Sequence, residues 1–242
     1  MKKILLIILI TGLSFGSFAQ QSFKENSDFG VGLSYAPKEV NLALSWKQMR
    51  GITAGEKFKL GYGLRFNGYL SNDKNYITAP AELTSGEKGP QVFFIENLVE
   101  NLDTFSLHNA QHNSLNAVIY LEYDFNDKWG VGFNIDAAGI AFGGSREGMI
   151  ISSNNNANSV VEVTAKPTPY NVLLVSDNDI GMLNSELYGS YNVSERFSIN
   201  AGLTFLFTEY TTDIKIVQNF NNDRFRHKSL MGLVSFNFKP FK

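Results

Sequence analysis

The stretch IYLEYDFNDKWGVGFNID, Ile119 to Asp136, alternates twice. Ile119, Leu121, Tyr123 and Phe125 form one series, with Tyr120, Glu122 and Asp124 between them. After Asn126 and Asp127 the pattern resumes, with Trp129, Val131, Phe133 and Ile135 on one face and Gly130, Gly132, Asn134 and Asp136 on the other. Successive side chains of a strand point to opposite faces, so this is a β-hairpin whose two faces are chemically unlike. The fold turns on which of those faces meets water.

The N-terminus bears on that choice. MKKILLIILITGLSFGSFAQ places Lys2 and Lys3 before the apolar run Ile4–Ile10, then small residues ending at Ala19. This is the pattern of a secretory signal peptide, with an apolar run too short to span a bilayer permanently. The expected division is 1–19 signal peptide, 20–28 periplasmic segment, 29–238 barrel and 239–242 tail. Removing Lys2 and Lys3 leaves 19 basic against 23 acidic side chains, a balance that argues against nucleic acid as a partner. The chain has no cysteine, which excludes disulfides and thiolate metal sites.

Eight alternating segments follow: Phe29–Tyr35, Val40–Met49, Phe58–Leu70, Ser114–Phe125, Lys128–Phe142, Gly181–Val193, Phe197–Tyr210 and Lys228–Phe238. The first two are separate strands, because apolar parity flips from Val31 and Leu33 to Leu42 and Leu44 across Pro37. Links four-to-five and six-to-seven are tight turns, whereas three-to-four and five-to-six run to about 40 residues each. Transmembrane β-barrels pair short periplasmic turns with long extracellular loops in this way.

One face carries Phe58, Leu60, Tyr62, Leu64 and Phe66, and Ile199, Ala201, Leu203 and Phe205; the other carries Gly61, Gly63, Arg65 and Asn67, and Ser198, Asn200 and Thr204. Aromatic rings at such density would overfill the bore of eight strands, whereas glycines suit it. The polar face is therefore expected inside and the apolar face against lipid. Trp46, Tyr123, Phe125, Trp129, Tyr191, Phe197, Phe236 and Phe238 fall at one level, as an aromatic girdle at the periplasmic interface would.

These features resemble small eight-stranded outer-membrane β-barrels of the outer-membrane protein beta-barrel domain type, and the start FAQQ resembles Bacteroidetes-like export signals. The likeness covers Phe29 to Phe238. Its most specific piece is the last strand LMGLVSFNF, where Gly232, Val234, Phe236 and Phe238 alternate toward a terminal aromatic. The resemblance implies that this strand is an assembly signal for the barrel-insertion machinery, although here Lys239-Pro240-Phe241-Lys242 follows the aromatic. It also implies residence in the cell outer membrane.

Chemistry is sparse. A polar face turned inward puts Arg65 among Glu122, Asp124, Asp136 and Glu186, and unpaired charges in a narrow bore are costly. An ion-pair network aided by Asn67, Asn134, Asn184 and Asn200 is expected to plug the lumen. Arg224, Arg226, His227 and Lys228 form a basic rim cluster able to pair with lipopolysaccharide phosphates. His112 with Ser114, and His227 with Ser229, offer the residue types of a lipid A-modifying enzyme, but such catalysis needs hydrogen-bond reach between them, which spacing alone does not establish. Asn72–Gln111 holds apolar clusters that predict partial order over the mouth, as strand extension or a short helix near Ile95–Leu102. Ser152–Ser159 reads as a polar loop tip.

The expected protein is an all-β, eight-stranded antiparallel transmembrane barrel, monomeric, without cofactor or metal, acting as a surface-interaction scaffold rather than an enzyme. A narrow solute channel and, behind it, a lipid A-modifying enzyme are the alternatives. Its partners are outer-membrane lipid and the assembly machinery, with the ligand of the loops undefined.

Overall fold

The computed structural model describes residues 27–53, 55–85, 102–151, 160–174, 178–216 and 222–240. The expected signal peptide, the segment Ser152–Ser159 and most of Ile95–Leu102 lie outside the described residues. The strands are β1 Ser27–Ala36, β2 Glu39–Gly51, β3 Phe58–Thr78, β4 Thr104–Asp124, β5 Trp129–Phe142, β6 Arg146–Ile151, β7 Val160–Pro167, β8 Tyr170–Val172, β9 Leu183–Asn192, β10 Phe197–Ile216 and β11 Asn222–Phe238. A single helix among the described residues, α1 Ala81–Ser85, follows β3.

Eight of these strands close a ring, antiparallel at every step: β1–β2–β3–β4–β5–β9–β10–β11 and back to β1. All eight expected segments are in it. Closure removes both sheet edges, so no ladder donor or acceptor in this band is left to pair with lipid, which offers none. The hairpins Phe125–Lys128 and Val193–Arg196 lie at one end with both described chain ends, and the longer connections at the other.

The faces are arranged as the alternation requires. Val31, Leu33, Leu44, Leu64, Ile119, Leu187 and Val234 are outward and exposed, and Leu203 keeps 49% of its surface open. The periplasmic aromatics share a level by register: Phe29 opposes both Trp46 and Phe238, and Phe238 opposes Phe197. Trp129 stacks on Tyr191 at 4.7 Å between ring centroids, and Phe197 on Phe238 at 5.0 Å.

The barrel does not keep eight strands to its top. The β1–β2 hairpin ends at Pro37-Lys38, and above it β11 pairs directly with β3, Phe225 opposite Thr78. On the far side, β6 takes over from β5 beside β4, and β7 takes over from β9 beside β10. A narrower ring of six, β3–β4–β6–β7–β10–β11, therefore continues upward. The predicted strand extension out of the third link is present in β3 and β4.

At the junction β3 and β4 exchange faces, whereas β10 and β11 keep theirs. Arg65, Asn67, Tyr69 and Ser71 point inward on β3 below, but Tyr76 and Thr78 do so above. The switch falls at Asp73, whose φ of 49° is left-handed, a conformation Asp adopts more readily than most residues. β5 has its own switch. A bulge at Ala137, between the pairs Val118–Asp136 and Ala117–Ala138, turns outward alternation from Ile135 to Ile140.

Candidate functional site

The lumen is built in layers, beginning at the periplasmic end. The side chain of Lys47, on β2, is almost fully buried and ion-pairs with Glu122, with Asp28 3.7 Å away. The Tyr188 hydroxyl donates to the same Glu122 carboxylate at 2.8 Å. Tyr188 lies directly over Gly132, where a Cβ would collide with its ring; the glycine makes this crossing possible.

One layer up, Arg65 is 1% exposed and Asp136 fully buried. Arg65 donates to Asp136 Oδ1 from Nε at 3.0 Å and from Nη2 at 2.6 Å. Its Nη1 donates to Asn134 Oδ1 at 2.7 Å and lies 3.1 Å from Glu186 Oε2, while Nη2 also reaches the Asn184 carbonyl at 2.6 Å. The other Asp136 oxygen accepts from the Asn116 amide at 2.6 Å and the Asn184 backbone N–H at 2.9 Å. Asn134 donates to Glu186 at 2.8 Å, and Asn184 to Asn67 at 3.1 Å. A buried charge pair is tolerable when every remaining lone pair and N–H finds a partner, and this layer approaches that condition.

Of the four acids expected around Arg65, the structure brings Asp136 and Glu186 to it. Glu122 belongs instead to Lys47. Asp124 pairs with Lys59 at 2.6 Å at the partly open periplasmic end, because β4 carries it beyond the enclosed part of the bore. Asn200 lines the bore beside Arg65 without a side-chain partner for its Oδ1. Lys47 escaped the sequence reading, although its parity with Asn41 and Ser45 marks it as inward and Gly63, its cross-strand neighbour, clears space beside it. Between the two ionic layers lies a cavity of about 20 Å³, bounded by Lys47, Arg65, Glu186, Tyr188 and Asn200. That is room for about one water molecule.

Above the ions the interior turns apolar. Tyr69, Ala141, Met182, Leu206 and Met231 form one buried cluster across the bore. Higher still, inside the ring of six, Tyr76, Phe105, Leu107, Ile150, Val163, Tyr210 and Phe225 form a second. His112 is fully buried beneath it, its ring 4.5 Å from that of Tyr210. Ser114 Oγ accepts from Asn67 and Asn116, whereas neither His112 ring nitrogen meets a hydrogen-bonding side chain among the described residues. Among the described residues no group of three or more His, Asp or Glu side chains is placed to hold a metal.

The rim cluster is differently disposed from the expectation of an open basic patch. Arg224 Nε and Arg226 Nη2 both bind Glu209, at 2.7 and 3.0 Å, and Glu209 is fully buried by them. His227 turns inward to Glu39 at 3.3 Å and to the Asn75 carbonyl. Lys228 alone is exposed, 5.6 Å above the Phe207 ring. Glu39, on the extracellular hairpin, also receives Lys74 and the Tyr69 hydroxyl. Burial raises its pKa, but His227, Lys74, Ser229 and Tyr69 outweigh that and hold it near 2. The carboxylate thus ties the β1–β2 hairpin to β3 and β11, where the eight-stranded wall ends. Gly232, Val234, Phe236 and Phe238 lie on the outward face of β11, the strand that closes the ring between β1 and β10.

A closed antiparallel ring with an apolar exterior, an aromatic girdle and a charged, hydrogen-bonded interior defines a transmembrane β-barrel of the outer-membrane type. No protein-family model matches the chain, and no curated protein does. Solved structures similar to it include Neisserial surface protein A, at 10% identity over 88% of this chain and 94% of that one, with a TM-score of 0.37. Others are the CymD monoaromatic hydrocarbon channel, at 9% identity over 90% of each chain and a TM-score of 0.22, and a Pseudomonas aeruginosa FadL homologue, at 10% identity over 88% and 75% and a TM-score of 0.23. The class assignment stands on the belt and lumen of this chain.

Proposed function

We propose that the protein is a closed outer-membrane scaffold, which holds an ordered extracellular extension in place and does not pass solutes or catalyse a reaction. One observation carries this reading: the bore is crossed first by the Arg65–Asp136–Glu186 layer and then by two apolar clusters. A conducting pore would need a continuous wet path, and the cavity beside Arg65 holds about one water. The ring of six above the membrane is a rigid base for the loops, where binding functions usually sit. The closing strand β11, with Gly232, Val234, Phe236 and Phe238 facing out, is in this reading also what the insertion machinery recognises.

Planar-bilayer recording on the refolded protein tests the proposal. The expected result is no unitary conductance steps from a preparation that shows the mobility difference between unheated and boiled samples. Regular, reproducible steps would establish the narrow-channel reading instead.

A further inference from the structure

The lower bore holds more negative than positive charge. Lys47 pairs with Glu122 and lies 3.7 Å from Asp28, and Arg65 pairs with both Asp136 and Glu186. Two cations thus face four carboxylates. At the periplasmic mouth Lys59 offsets Asp124, and the charge of Lys239 acts on Asp28. Even with that mouth included, four positive side chains meet five negative ones. A net charge left uncompensated inside a lipid-clad wall is costly.

The cavity of about 20 Å³ between the two ionic layers carries the groups to answer that charge. β1 and β2 border it with Gly30, Gly32, Ala43 and Ser45, whose small side chains leave space across the bore from Glu186. Two oxygens on its wall, Asn200 Oδ1 and Tyr120 Oη, have no hydrogen-bond partner among the described residues, in side chains only 4% and 3% exposed. Asn237 Nδ2, on the same wall, is unpartnered too, and a half-turn of that amide presents its oxygen instead. Glu186 Oε2 takes the contacts with Arg65 and Asn134, whereas Oε1 receives the longer bond from Asn184 at 3.3 Å. Lys47 and Arg65 also border the cavity, but the carboxylates they pair with already exceed their charge.

We infer that this cavity binds one monovalent alkali cation, sodium or potassium, through the Glu186 carboxylate, Asn200 Oδ1 and Tyr120 Oη. A dehydrated potassium ion is close to a water molecule in size, and protein oxygens can replace its hydration shell. One carboxylate among neutral oxygens suits a single positive charge, whereas calcium takes six to eight oxygens, several of them anionic. Bound there, the ion balances the bore and ties β4, β9 and β10 together beneath the apolar clusters. The inference goes beyond the scaffold reading and stands whether or not the bore conducts, because it concerns binding at equilibrium.

The test uses full-length protein refolded into phosphatidylcholine vesicles, with heat-modifiable mobility reporting the fold. Urea midpoints are compared in sodium, potassium and choline chloride at one ionic strength and one pH. The midpoint should be higher in sodium or potassium than in choline, which is too bulky for the cavity, and should climb with the logarithm of the favoured ion's concentration. Asn200→Ala should weaken the apparent affinity about tenfold, and Glu186→Gln should abolish the dependence. Asp127→Asn removes a carboxylate from an exposed periplasmic turn and should leave the dependence unchanged. Calorimetric titration of wild type in choline chloride with sodium or potassium chloride should give one site per barrel, and this arm decides the matter if the variants fail to fold. Equal midpoints in the three salts, no calorimetric binding, full dependence in Glu186→Gln, or its loss in Asp127→Asn would overturn the inference. A midpoint that responds to pH but to none of the cations would assign the balancing charge to a proton, and would overturn it as well.

Discussion

The lower barrel and the upper extension are built from the same long strands, and they are inverted with respect to each other. Below, β3, β4, β10 and β11 bury Arg65, Asn116, Asn200 and Ser229 and expose Leu64, Leu115, Leu203 and Leu230. Above, the same strands bury Tyr76, Phe105, Tyr210 and Phe225 and expose Asn75 and His108. Lipid outside the lower half lets leucines stay on the exterior, so hydrogen bonds and ion pairs can occupy the bore at the levels of Lys47 and Arg65, below the Leu206–Met231 cluster. Water outside the upper half restores the ordinary rule, and the interior becomes an aromatic core. The left-handed Asp73 marks where β3 changes from one solvent regime to the other.

This contrast makes opposite substitutions destructive in the two halves. Arg65→Ala leaves Asp136 buried without its cation, and breaking a pair at that depth costs about 3–5 kcal/mol. Its urea midpoint in micelles should fall accordingly, and adding Asp136→Asn should recover part of the loss, since the two effects are coupled. The apolar clusters above remain in place, so Arg65→Ala alone should not produce open-channel steps. In the upper half the equivalent injury is Phe105→Ala, at about 3–5 kcal/mol for a fully buried ring. Its expected signature is local: external protease should cut the extension while the membrane band keeps its heat-modifiable mobility.

Outward positions sharpen the comparison at a smaller scale. Leu203→Arg near the bilayer midplane should cost about 2–4 kcal/mol, whereas Asn75→Arg on the upper exterior should stay within about 0.5 kcal/mol. Equal costs at the two sites would remove the distinction between a lipid-facing and a water-facing wall. The smallest effect is a pH dependence at the seam. Glu39 has a pKa near 2 against an ordinary 4.5, so its tie contributes fully above pH about 4.5 and is lost as pH falls through about 2. Glu39→Gln should remove that acid-dependent loosening, read as hydrogen exchange of the β1–β2 hairpin.

The lower half was legible in the sequence because its two faces differ over many residues in unbroken alternation. The eight ring strands and the inward Arg65 could be read from parity alone, and the girdle members Trp46, Phe197 and Phe238 from their place at strand ends, whereas Phe29 joined their rung only through the register. The upper half was hidden by its own junction. Where β3 switches faces at Asp73, Lys74 and Tyr76 look like a break in the pattern, so the strand seemed to end at Leu70. β6 and β7 are only six and eight residues long, and Met149, Ile151, Val160 and Val161 put apolar groups on both faces, which erases alternation. The partners of the lumen acids were only half legible for another reason. Parity says which residues face the bore but not at what height, and height separates Glu122, beside Lys47, from Asp136, beside Arg65. Arg224 and Arg226 read as a free cluster because their counter-ion, Glu209, comes from the neighbouring strand.

The inversion itself can be measured directly, because the chain contains no cysteine and single reporters can be placed without background. A fluorophore on Leu203→Cys and another on Asn75→Cys are compared in vesicles, using a quencher fixed to lipid acyl chains and a quencher confined to water. The account predicts that the Leu203 reporter is quenched from the acyl chains and shielded from the aqueous agent, and that the Asn75 reporter behaves in the opposite way. Aqueous quenching of both reporters, or acyl-chain quenching of both, would contradict it.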